Sequence, residues 1–320
     1  MRSGGPQIHR DIPRVDPAST GARNSEAATT VFRSTKRVER LSRLGGLRRR
    51  VGDLRGAEKA YRRALAIAER HLPADDLAAA RVRNDLGVVL KYTGQFAEAA
   101  SLYQHAHAVF VARLGPAHSD VAMVLHNIGG LAHASGRPAD GESAARLAVC
   151  INAAAQGDDH PATAADRAAL AAILDAMGRH DDATALLEQA LTVFQRQLGS
   201  EHHEVGVTLG NLGAIDAQRG HFARAEQRLR RALAIKERAL GVNHPELVPT
   251  LGTLGFVCRR NGNDDDARKL YQRADEILQR QGLSEHAASL IRARRATTQD
   301  SQRDGRGEDG GPIRRATARA

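Results

Sequence analysis

The sequence predicts an all-α protein, a right-handed α-α superhelix of six stacked helix-turn-helix pairs, and three observations carry that prediction. Composition is the first. Hydrophobic residues make up 42% of the 320-residue chain but aromatics only 3%, with no Trp, so the core is built from Ala, Leu, Val and Ile rather than the β-branched and aromatic mixture of a sheet. An internal period is the second: Gly52, Gly94, Gly136, Gly178, Gly220 and Gly262 recur every 42 residues without insertion or deletion. Third, small residues keep the same step. Ala57, Ala99, Gly141, Ala183, Ala225 and Ala267 stand five positions after each glycine, and Ala64, Ala106, Ala148, Ala190, Ala232 and Ala274 twelve after.

Residues 1–37 are rich in Gly, Pro, Ser, Thr and Arg and lack periodic apolar residues, so they are expected to be a disordered basic segment. Residues 38–282 hold the repeats, starting near 38, 80, 122, 164, 206 and 248. Repeat five shows the logic best. Val205 to Arg219 is weakly amphipathic and ends at Gly220, which can take the left-handed conformation that closes a helix. His221 to Leu240 then places Phe222, Ala225, Leu229, Ala232, Ile235 and Leu240 on one face, with Arg, Glu and Lys opposite. Gly241 to Pro245 makes the turn, and Pro245 suits a first helical turn, where its missing N–H has no partner.

The other repeats follow with local departures. A Leu-Gly pair or close variant precedes each periodic glycine: Leu44-Gly45, Leu86-Gly87, Ile128-Gly129, Leu170-Ala171, Leu212-Gly213 and Leu254-Gly255. Gly or Ala there lets the two helix axes approach. Repeat one carries Arg48 where a core residue is usual and reads as a polar N-terminal cap, while Arg83 and Arg167 stand at the large apolar position of repeats two and four. His118, His160, His202, His244 and His286 close five units and are assigned a turn role. Residues 283–296, with EHAASLIRARR, are expected to form a capping helix, and residues 297–320 a disordered Arg/Gly-rich tail.

These residues resemble a tetratricopeptide repeat, whose signature pairs Leu-Gly in the first helix with Ala-x-x-x-aromatic in the second. Ala57 with Tyr61, Ala99 with Tyr103 and Ala267 with Tyr271 keep the aromatic, whereas Ala145, Leu187 and Leu229 replace it. The 42-residue period and the turn Leu240-Gly241-Val242-Asn243-His244-Pro245-Glu246 look like the longer variant of kinesin light chains and many bacterial proteins. The resemblance implies a protein-protein interaction scaffold whose first helices line a concave groove. Register transfers to that groove Arg43, Arg49, Arg50, Asn84, Lys91, Tyr92, His126, Asn127, His133, Asn211, Gln218, Thr253, Arg259 and Arg260, with repeat four nearly all alanine. Asn127 and Asn211 match an amide that in such grooves holds a peptide main chain; Arg43, Asp85, Ala169 and Thr253 occupy that place elsewhere. The implied partner is an extended or helical segment with acidic ends and a small apolar middle, steered by charge.

Other function classes find less support. Seven of the ten net positive charges lie in residues 1–37 and 283–320, without interleaved aromatics for base stacking, which leaves nucleic-acid association through basic tails as a second alternative. The first is a sensor or regulatory partner of a bacterial ATPase or transcription regulator. No phosphate loop, nucleophile elbow or zinc-protease motif is present, and the periodic histidines sit one repeat apart, too far to share an ion, so neither an enzyme, a cofactor nor a metal is expected. Cys150 and Cys258 are separated and unclustered, which fits packing residues in a reducing cytosol. With no apolar run long enough for a membrane span and no apolar stretch behind Met1, a cytoplasmic protein without membrane contact is expected. Oligomeric state is left open.

Overall fold

The computed structural model describes the backbone of residues 17–281 and the side chains of residues 29–280. Among them twelve α-helices follow one another without a strand. They are α1 (Pro17–Arg50), α2 (Leu54–His71), α3 (Leu77–Tyr92), α4 (Phe96–Leu114), α5 (Ser119–Ala134), α6 (Pro138–Gln156), α7 (Pro161–Ala176), α8 (His180–Leu198), α9 (His203–Gln218), α10 (Phe222–Leu240), α11 (Val248–Arg260) and α12 (Asp264–Gln281). A 3-10 turn, Pro245–Leu247, leads into α11. Odd-numbered helices are the first of each pair and even-numbered the second.

The periodic glycines act as the sequence predicts. Gly52, Gly94, Gly136, Gly178, Gly220 and Gly262 take φ between +76° and +81°, where an L side chain is strained. The N–H after each reaches back over the helix end: Gln95 to the Leu90 carbonyl at 2.9 Å, Arg137 to Ala132 at 2.9 Å, Asn263 to Cys258 at 2.8 Å. This satisfies carbonyls that would otherwise be orphaned. Between repeats a second glycine series, Gly115, Gly157, Gly199 and Gly241, takes φ of +85° to +95°. Three residues on, His118, His160, His202 and His244 cap the next helix, each Nδ1 accepting the N–H two positions later. Asp76 does the same in repeat two, accepting from Ala78 and Ala79.

Close packing explains the Leu-Gly pairs. A Cβ on Gly87 would lie 2.6 Å from the Tyr103 ring, on Gly45 2.8 Å from Tyr61, on Gly255 2.9 Å from Tyr271, and on Gly213 2.7 Å from Leu229. Tyr61 and Tyr103 are almost fully buried there. In repeat three both sides are small: Gly129 faces Ala145, and Gly141 lies so close that a Cβ would meet the Gly129 carbonyl at 2.9 Å.

Several expectations are corrected. Helix α1 begins at Pro17, so the segment expected to be disordered through residue 37 is helical from Pro17 onward. Ser34 and Val38 are already buried. Repeat one is not a polar cap, because Leu44, Leu47 and Val51 lie exposed along α1 and its end. Cys258 is buried as a packing residue, but Cys150 is exposed on α6. Arg83 and Arg167 are largely covered where an apolar residue was expected. They reach sideways, Arg83 to Glu69 at 3.3 Å and Arg167 to Asp158, including its carbonyl at 2.7 Å. The capping helix at 283–296, the tail at 297–320 and His286 lie outside the described residues.

Candidate binding groove

Helix contacts decide which face is concave. Consecutive first helices pack on one another (α1 on α3, α3 on α5, α5 on α7, α7 on α9, α9 on α11), whereas consecutive second helices make no comparable contact. The first helices therefore form the tighter inner layer and the second helices the splayed outer one. On the outer layer, charges pair across repeats: Arg62 with Glu98 at 2.6 Å, Arg179 with Glu142 at 2.9 Å, Arg228 with Glu188 at 3.8 Å and Arg230 with Asp266 at 3.5 Å.

The inner layer is polar in a different way. Asn127 donates through Nδ2 to Asn84 Oδ1 at 2.8 Å, and Asn84 is only 2% exposed, so it braces Asn127 instead of facing the groove. His126 Nδ1 lies 2.8 Å from Asp166 Oδ1, and Asn152 donates to Asp166 Oδ2 at 2.7 Å. Gln218 donates to Asp175 Oδ2 at 3.2 Å, while His180 holds the other oxygen at 2.7 Å. The middle of the groove, expected to be nearly all alanine, carries the half-buried carboxylate of Asp175, while Asp166 is 4% exposed and lies beneath the face as a partner of His126 and Asn152. Thr253 is 8% exposed and donates to the Pro249 carbonyl at 3.0 Å. Arg43 and Arg50 are exposed near the end of α1, Arg259 is half-buried, and Arg260 stacks on Phe222 with its guanidinium carbon 5.0 Å from the ring centroid.

The superhelix curls far enough that charged groups of its first two repeats act on those of its fifth and sixth. The Arg49 charge acts on the imidazole of His244, whose buried Nε2 has no hydrogen-bond partner among the described residues. Lys91 Nζ sits 5.3 Å from the Tyr92 ring centroid at the end of α3. Burial pushes the Lys91 ammonium below its ordinary range, Arg49 pushes the same way, and the Glu246 carboxylate opposes them. His133 is likewise lowered by burial, with Asp175 opposing and Lys91 reinforcing. His203 Nε2 lies 2.8 Å from Glu246 Oε1, a contact of charge rather than an aligned hydrogen bond. The Glu204 and Glu246 carboxylates push His203 up to about 9, and Glu246 is held below the usual carboxylate range by His203 against its own burial.

Two cavities open on this face near its C-terminal end. One, about 560 Å³, is lined by Ala214, Ala217, Gln218, Arg219, Phe222, Thr253, Phe256 and Arg260, with the Phe222 and Phe256 rings edge to face at 6.2 Å. The other, about 230 Å³, lies deeper among His133, Asp175, Asn211, Gln218, Lys236 and Thr250. Of the expected groove residues, His133, Asn211, Gln218 and Thr253 gather here with Arg260 at the rim, while Lys91 and Tyr92 sit with Arg49 at the seam. The sequence reading missed Asp166, Asp175, Lys236, His203 and Glu246. A signal for three of them was present in the register: Asp175 stands in step with the groove positions Lys91, His133 and Arg259, Asp166 stands where Val82 and Val124 stand, and Lys236 where Ala68, Phe110, Phe194 and Leu278 stand.

A solenoid with an inner layer of first helices and side chains converging on inner cavities is a helical-repeat fold. The sequence profile of the tetratricopeptide repeat matches residues 38–112, 120–194 and 167–238, and the chain belongs to that family. Solved structures share the fold. A Rap protein complexed with competence and sporulation factor superposes with a TM-score of 0.61 at 16% identity, covering 84% of this chain and 80% of that one. The apo form of RapI gives 0.52 at 15%, covering 76% and 97%, and BtubC (BKLC) from P. vanneervenii 0.51 at 19%, covering 92% and 98%. No curated protein matches the chain in sequence. No described helix is long and apolar enough to cross a membrane.

Proposed function

We propose that this chain is a non-enzymatic scaffold that takes a segment of a partner protein in the concave groove of its superhelix. One contrast carries the reading. Charges on the convex helices pair with one another across repeats, whereas the concave face keeps two cavities into which amide, hydroxyl and ammonium groups project. Such a face suits a ligand with main-chain groups to bond and a few side chains to bury. The Rap structure complexed with its factor shows a related solenoid holding a ligand. Arg260 at the rim of the outer cavity favours an acidic partner, whereas Arg219 beside it is already paired with Asp181. Asp175 in the inner cavity favours a basic or amide side chain at the middle of that segment, in place of the purely apolar stretch that the sequence suggests.

The test is capture of partners from lysate of the source cell by the full chain, beside two variants. One carries Asn211→Ala, Gln218→Ala and Arg260→Glu in the groove; the other carries Arg62→Glu and Arg230→Glu on the convex face. A protein retained by the convex variant and lost from the groove variant is expected. The reverse pattern would move the binding surface to the outer layer and overturn the reading.

A further inference from the structure

Lys236 has no structural reason to be a lysine. The same place on the second helix is Ala68, Phe110, Phe194 and Leu278 in four other repeats, each of them buried. Where repeat three puts Asn152 there, the polar group is fully employed: it donates to Asp166 at 2.7 Å and its carbonyl accepts from Gln156 at 3.0 Å. Lys236 is 6% exposed and has one hydrogen-bond partner, the Thr250 hydroxyl at 3.3 Å, for three ammonium donors. A buried ammonium so thinly satisfied costs stability unless an acceptor meets it.

The neighbouring helix makes room for this side chain. Gly206 and Gly210 lie one turn apart on α9. A Cβ on Gly206 would meet Lys236 Cγ at 3.2 Å, and one on Gly210 would stand 3.8 Å from Lys236 Nζ and 3.7 Å from Thr250 Oγ1. The stem of Lys236 thus runs along a glycine slot, and its ammonium emerges in the wall of the 230 Å³ cavity beside Asn211. Glu204 and Glu246 are near enough to temper the effect of burial on the ammonium, but Glu246 is already engaged by His203.

We propose that Lys236, Thr250 and Asn211 form a carboxylate-accepting subsite in the groove, which anchors an aspartate or glutamate side chain of the bound segment. The carboxylate oxygens accept from the Lys236 ammonium and the Asn211 amide, and Asp175, across the cavity, rejects a second acidic residue close by. This proposal rests on the groove reading above and adds to it a place and a chemistry.

The chain has five lysines, Lys36, Lys59, Lys91, Lys236 and Lys269, so a full-length sample labelled with carbon-13 at lysine Cε gives a short spectrum in which Lys236→Met identifies one signal. The probes are a capped alanine-rich heptapeptide with one central Asp and its Asn counterpart. The Asp peptide is expected to shift the Lys236 signal and raise its pKa, and to bind about ten- to a hundred-fold tighter than the Asn peptide. Lys236→Met removes the difference. Gly210→Ala serves as the second variant, because a methyl group there makes only ordinary contacts, favours the helix and covers the ammonium; it should fold and still lose the preference. Equal binding of the two peptides, or an Asp preference that survives both variants, overturns the subsite while leaving the groove in place. A Lys236 signal that neither peptide moves at concentrations on the order of a millimolar also overturns it, and the fate of the groove reading then rests on the lysate comparison alone.

Discussion

At the scale of single residues, this protein is tuned by how closely two helices can approach. Gly87 sits under the Tyr103 ring with no space for a methyl group, so Gly87→Ala should cost about 1–3 kcal/mol by overpacking, read as a lower denaturation midpoint. Repeat four carries Ala171 and Leu187 at the corresponding places, both fully buried. Adding Tyr103→Leu to Gly87→Ala should therefore recover part of the loss, and a double-mutant cycle should show coupling between the two positions. Tyr103 also buries a hydroxyl without a hydrogen-bond partner. Tyr103→Phe should be neutral or stabilising, because it removes a desolvated group and keeps the ring. Lys236→Met follows the same logic with charge, and a gain of about 1–3 kcal/mol is expected on thermal or urea unfolding. A binding residue that weakens its own fold is a common bargain between function and stability.

At the scale of elements, the first helices are started by side chains that accept a hydrogen bond before the first turn. His160→Ala should cost about 1 kcal/mol, the usual worth of an N-cap, whereas His160→Asp should cost little, because Asp76 does that work in repeat two. Circular dichroism melts of the three proteins separate these outcomes. Equal losses in both variants would mean that His160 acts by packing and not by its Nδ1. The outer helices are tied sideways by exposed ion pairs such as Arg62–Glu98, each worth a fraction of a kcal/mol and weaker in salt.

At the scale of the whole molecule, two histidines where the fifth repeat joins the sixth make stability depend on pH in two directions. His203 is raised above its ordinary value of 6.5 to about 9, so the stability it contributes is complete below pH 6.5 and is lost as pH rises toward 9. His244 is lowered by burial, so its contribution is present above pH 6.5 and is lost as pH falls. The groups facing this pair are Arg49, Glu204 and Glu246, with Lys91, Tyr92 and Lys236 beyond. The melting temperature should therefore peak near neutral or mildly acidic pH. His203→Gln should flatten the alkaline limb, by on the order of 2 kcal/mol between pH 6.5 and 9, and leave the acid limb in place. An unchanged alkaline limb in that variant would exclude His203 as its source.

Most of the architecture was legible in the chain because a repeat states its rules six times. The glycines at a constant step had to be helix ends, the small residues had to be helix contacts, and the period had to be a solenoid, since one helix pair cannot bury its own apolar face. The inner face was read as a register, and of the residues it placed there His133, Asn211, Gln218 and Thr253 line the cavities. What register cannot state is which polar residues satisfy one another. Asn84 was expected in the groove and is buried as a partner of Asn127, and Asp166 lay hidden in a run of alanines until His126 and Asn152 were seen to converge on it. Those pairings join residues 14 to 43 positions apart, and distance along the chain carries no record of them. The reach of the Arg49 charge to His244 belongs to tertiary structure alone, because it depends on small rotations summed over four repeats. The sequence by itself determined the unit and its stacking, through local backbone and packing rules. Only the tertiary structure decided the curl of the stack, and with it which charges face one another across the groove and which ammonium is left waiting for an acceptor.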